Sequence, residues 1–214
     1  IFIWDIHGCF EELKLLIDKL DLNDDDKVYF TWDLINKWPK SFKVIKYIYK
    51  NRDKFKLVLW NHDLEFLKYI DWKEENSEIL NFNKRFDKLH KKLLNKPKIF
   101  NFFKEIPLFI EEDDFILIHW WIIPGKTLEE HSAEELCYLR TYKWKPWYDY
   151  YTLDKKVIYG HWAIEWLNIR EKTVWLDTWC CYWNYLTAYV LETWEIITQK
   201  ALEQYIDPFK NKSI

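Results

Sequence analysis

Glycine is almost missing from this chain. Average usage of about 7% predicts roughly 15 glycines at this length; the 214 residues hold 3, against 15 tryptophans. Glycine supplies the φ > 0 conformations of tight turns, and a bulky indole does not take them comfortably. Several tryptophans nonetheless stand in turn contexts, such as Lys37-Trp38-Pro39 and Glu192-Thr193-Trp194-Glu195. The letters at such positions are expected not to report what the native gene encodes. Trp72, Trp147 and Trp162 read as ordinary tryptophans.

Other absences narrow the class. No apolar run approaches the roughly 20 residues of a membrane helix, and the N-terminus has no signal-peptide pattern. A cytoplasmic protein without a membrane partner is the expectation. Basic charge is not in excess: the net charge is -3 and the pI about 6.1, which speaks against a nucleic-acid polymer as partner. A small anionic substrate stays open, because bound cations would dominate the local field. CxxC pairs are absent too. Cys180 and Cys181 are adjacent while Cys9 and Cys137 stand alone, so buried reduced thiols are expected rather than a disulfide scaffold or a zinc knuckle. Composition leaves the oligomeric state unknown.

What is present is an α/β pattern. Apolar runs at Ile1 to Ile3, Val28 to Phe30 and Leu57 to Leu59 alternate with helical stripes, Phe10/Leu13/Leu16/Ile17/Leu20 and Phe42/Ile45/Ile48/Tyr49. That order predicts parallel strands with helical crossovers. Residues from about Leu64 to Lys104 read as helical, and after Pro107 the chain turns strand-rich, at 115–118, 157–159, 174–176, 185–191 and 195–198. Ser132 with Glu135 three residues on predicts a capped helix running to Arg140. Together these predict one domain over 1–214, a two-sheet α/β sandwich flanked by helices, with a helical insertion at about 64–106.

Polar residues collect where the strands end. Asp5 and His7, Asp33, Asn61-His62-Asp63, His119 and Gly160-His161 each follow an apolar run. In open parallel sheets ligands bind beyond the carboxyl ends of the strands. Three carboxylates, an amide and four imidazoles in such loops are what a two-metal hydrolytic centre needs. Imidazole with carboxylate suits manganese, iron, cobalt or zinc better than calcium, and His62 is suited to proton transfer near neutral pH. His90 and His131 read as surface residues. Trp147, Tyr148, Tyr150 and Tyr151 could stack on an adenine or pack the core, with the core favoured.

Five ordered motifs, at Trp4 to Gly8, Trp32 to Trp38, Trp60 to Asp63, His119 to Trp121 and His161, resemble those of the calcineurin-like metallophosphoesterases, in their phosphoprotein-phosphatase branch. The resemblance implies that Asp5, His7 and Asp33 hold one divalent metal, manganese first. Asp33, Asn61, His119 and His161 would hold a second. It also makes His62 the general acid. Asn36-Lys37 stands where the branch has Asp-Arg, so Lys37 would grip phosphate as a point charge and Asp63 would orient His62. Arg140 is expected to neutralise phosphate oxygens.

A narrower resemblance, in Asn61 to Leu64, Tyr159 to Ala163 with Glu165-Trp166, and Leu176 to Trp183, is to the symmetrical dinucleoside tetraphosphatases. It implies cleavage of diadenosine tetraphosphate into two ADP. The stretch from His119 to His161 is short for that group, so a smaller cap is expected. The alternatives are a Ser/Thr or Tyr phosphoprotein phosphatase and, if the tryptophans are real, an inactive binding protein.

Overall fold

Alternation within very short strands decides the layering of this protein. The computed structural model describes residues 1–4, 6–30, 40–75, 84–139, 146–160, 167–176 and 178–205. In the first sheet β1 (Phe2–Trp4), β2 (Val28–Phe30) and β3 (Phe55–Leu57) run parallel, and α1 (Phe10–Leu20) and α2 (Ser41–Lys50) fall between them in the chain. After β3 come α3 (Asn61–Glu75), α4 (Lys84–Leu94) and α5 (Pro97–Lys104). The second sheet holds β4 (Phe109–Glu111), β5 (Phe115–Ile118), β6 (Lys156–Tyr159), β7 (Asn168–Ile169) and β8 (Thr173–Trp175), with α6 (Ala133–Tyr138) between β5 and β6. The chain then returns through β9 (Tyr185–Tyr189), antiparallel to β1, and β10 (Ile196–Lys200). The sheet orders are β10-β9-β1-β2-β3 and β4-β5-β6-β8-β7.

Successive side chains of a strand face opposite sides of its sheet. Phe2 and Trp4 therefore join Phe115, Leu117, Ile158 and Val174 in one apolar cluster shared by the two sheets. Ile3 turns the other way, into the cluster with Leu13, Leu16, Val44 and Ile48 of the helices. Ile116, Ile118, Val157 and Tyr159 do the same on the second sheet, against Leu136 and Trp147. Strands buried on both faces read as continuous apolar runs, and each fully buried aliphatic or aromatic side chain contributes about 1.5–3 kcal/mol.

The two-sheet α/β architecture is the one the sequence predicts. All four cysteines are buried, also as expected. The third strand differs: it spans 55–57, two residues earlier than the apolar run, because Val58 and Leu59 donate to Phe30 and Pro107 carbonyls while leaving the ladder. His90 and His131 are buried at 8% and 7% exposure rather than superficial. His90 packs on the Phe100 ring, and His131 accepts from the Ile123 amide at 2.8 Å and donates to the Thr127 carbonyl at 2.7 Å. Among the described residues no helix is long and apolar enough to cross a membrane.

Candidate metal centre

The ends of four parallel strands meet across the two sheets. β1 passes directly into a turn in which His7 (φ 37°) and Gly8 (φ 81°) both adopt left-handed conformations before α1 begins. A non-glycine residue held at positive φ costs free energy and tends to mark a functional loop; His7 is also nearly fully buried. From the second sheet, His119 follows β5 and Gly160 follows β6. The Gly160 amide donates to the His119 carbonyl at 3.0 Å, which sets these two segments side by side. The Trp4 indole lies against the Gly160 Cα, where any side chain at 160 would collide with it. The end of β1 therefore adjoins the end of β6.

The remaining segment enters after β3. Asn61, His62 and Asp63 form the first turn of α3, whose amide dipoles favour negative charge at that end. Trp60 touches His119, with ring centroids 3.5 Å apart. Asn61 is buried, and among the described residues its Oδ1 has no hydrogen-bond partner. A buried acceptor left in that state costs about 1–3 kcal/mol, and a cation would satisfy it. His62 Nδ1 lies 3.1 Å from Glu65 Oε2 on the next turn, while Asp63 is fully buried on the core side. Tyr138, at the end of α6, donates its hydroxyl to the Asn61 carbonyl at 3.1 Å. Lys68 bonds Glu134 at 2.7 Å and lies over the Tyr138 ring, so α6 is fastened to α3 at two points.

Of the site residues predicted from sequence, His7, Asn61, His62, Asp63 and His119 are described, and the last four gather at the facing ends of β3 and β5. Asp5, Asp33, Lys37, Arg140 and His161 lie outside the described residues. Among the described residues no cluster of three His, Cys, Asp or Glu forms; the donor set here is imidazole and amide, which fits a borderline divalent cation. Glu65 and Tyr138 were invisible in sequence. Glu65 is readable only as an i, i+3 neighbour of His62, and Tyr138 lies 77 residues from Asn61. Trp147 is core, edge-on to Tyr159 at 5.0 Å, and Tyr148 and Tyr151 pack beside it.

No protein-family model matches the chain. It is 43% identical over 67 residues to a symmetrical bis(5'-nucleosyl)-tetraphosphatase of Buchnera aphidicola, a match covering 31% of this chain and only about a quarter (24%) of the relative's length. A symmetrical bis(5'-nucleosyl)-tetraphosphatase of Shewanella sediminis is 26% identical, with 95% of this chain and 98% of the relative covered. That alignment runs over 277 positions against 214 residues here, so the relative carries segments this chain lacks. Among solved structures, one assigned as a diadenosine tetraphosphatase superposes with a TM-score of 0.75 at 23% identity, covering 94% of this chain and 92% of the other. A metallophosphoesterase from Sphaerobacter thermophilus shares the fold at a TM-score of 0.61 and 11% identity, with 93% and 86% covered. The chain therefore shares its two-sheet fold with metallophosphoesterases and, along nearly its whole length, is similar in sequence to symmetrical bis(5'-nucleosyl)-tetraphosphatases.

Proposed function

We propose that this protein is a two-metal hydrolase that splits diadenosine tetraphosphate symmetrically into two ADP. The observation that most supports the reading is the convergence just described: the His119–Gly160 hydrogen bond, with the Trp4 and Trp60–Asn61 segments adjoining it. The fit of a metal rests on the Asn61 Oδ1, without a hydrogen-bond partner among the described residues, and on the imidazole of His119 against the neighbouring Trp60. Asp5, His7, Asp33, Asn61, His119 and His161 would hold two divalent cations, with manganese the first candidate. When bound, the cations supply Lewis acidity to a phosphoanhydride and to the attacking water.

The chain's own residues do the rest. His62, at the mouth of α3 and partly exposed, protonates the leaving phosphate oxygen. Lys37 and Arg140 neutralise charge on the phosphate oxygens. A stretch between His119 and His161 shorter than in the tetraphosphatases would leave a smaller cap over the site, which suits an elongated dinucleotide.

Incubation with manganese and diadenosine tetraphosphate, with the products identified, tests the proposal. ADP as sole product is the expected result; AMP with ATP, or faster turnover of a phosphopeptide, would overturn it. A second reading has its own observation. The Trp60 ring stands closer to His119 than the 4.5–7 Å of relaxed aromatic pairs. If that indole is native, it occupies space beside a ligand and the chain binds without turning over; no hydrolysis of any phosphate ester would support this.

A further inference from the structure

We propose that Glu65 is a positioning residue for His62, holding the imidazole so that its other ring nitrogen delivers the proton. The inference rests on His62 being the general acid. Residues three apart on a helix share a face, and Glu65 Oε2 lies 3.1 Å from His62 Nδ1. Both belong to the first two turns of α3, so the pair is set by helix geometry and not by a loop. The competing cation is turned away: Lys68, three residues further on, bonds Glu134 at 2.7 Å. Asp63, the carboxylate adjacent in sequence, is fully buried. Glu65 is half exposed, as a residue at the rim of an open site must be.

An imidazole whose Nδ1–H donates to a carboxylate is fixed in ring plane and works through Nε2. In the step itself, the Nε2 proton passes to the departing oxygen as its P–O bond breaks and the electron pair moves to that oxygen. Water supplies the oxygen of the new P–O bond, and the proton it releases replaces the one His62 has given up. Demand for the proton rises as the leaving oxygen becomes more basic. Loss of Glu65 should therefore hurt poor leaving groups most.

The test compares phenyl phosphate with p-nitrophenyl phosphate in the manganese-loaded protein and its Glu65→Ala and Glu65→Gln variants. Glu65→Ala is expected to lower kcat on phenyl phosphate about tenfold, with a clearly smaller loss on p-nitrophenyl phosphate and KM unchanged. Glu65→Gln, which keeps an acceptor for Nδ1, should recover part of the loss. Melting midpoints should match the parent. Equal losses on both esters, or none, would overturn the role. Aryl phosphate turnover without dinucleotide turnover would remove diadenosine tetraphosphate as substrate and leave Glu65 to be judged by the leaving-group contrast. A parent chain inert toward all three substrates would overturn both.

Discussion

Trp147 and Trp183 show one residue type in opposite situations. Trp147 opens a short 3-10 turn after Pro146, is 1% exposed, and meets Tyr159 and Tyr151 edge-on at 5.0 and 5.8 Å. Trp183 is 47% exposed and sits at φ 87°, where the backbone asks for glycine. Trp179 (φ 59°) and Trp194 (φ 62°) share its left-handed backbone. Trp4 and Trp60 form a third set: they have no positive φ, but they press on Gly160 and His119. Glycine would suit Trp183, Trp179 and Trp194 for their dihedrals, and Trp4 and Trp60 for its lack of volume. Hydrogen bonding does not separate the sets, since among the described residues neither Trp4 nor Trp147 has a partner for its buried indole N–H.

Breaking the contrast should give effects of graded size. Trp147→Gly should destabilise the fold by about 3–5 kcal/mol, the range for removing a large buried aromatic, as measured by urea unfolding. Trp60→Gly should relieve the contact with His119 and raise manganese affinity about tenfold or more, the scale on which groups around metal ligands act; calorimetric titration reads this directly. An unchanged affinity would mean the indole does not obstruct the centre. Trp183→Gly should stabilise the protein by about 1–2 kcal/mol through release of the left-handed backbone. A smaller gain is expected for Trp194→Gly, because its ring lies 4.0 Å from Lys156 Nζ and that cation–π contact would be lost. Least of all, Tyr138→Phe should cost about 0.5–1.5 kcal/mol, one hydrogen bond, and loosen Asn61 enough to weaken manganese binding. The intact mass of the protein from its own source would sharpen the comparison: glycine is expected at 179, 183 and 194 and tryptophan at 147.

The sites most legible in sequence were those where chemistry and periodicity coincide. Ser132 and Glu135 form the predicted capping box of α6, each side chain satisfying the other's backbone amide. Strand β5 falls on the predicted residues because Phe115 to Ile118 is bounded by charge on one side and by His119 on the other. The run from Leu57 to Leu59 misled, since those residues are buried whether or not they pair. His131 looked superficial among charged neighbours, yet both its ring nitrogens bond backbone atoms of its own loop.

By itself, the sequence determined the α/β class, the helix stripes, the burial of the cysteines and the positions of Asn61 and His119 after their strands, because these follow from local periodicity and from side-chain chemistry. Tertiary structure alone decided which strand ends face one another. It brought His119 to Gly160, Trp4 onto Gly160 and Tyr138 to Asn61. It also separated the tryptophans by dihedral and by available space. Contacts between distant segments depend on how two twisted sheets pack through interlocking side chains, and no single stretch of the chain carries that information.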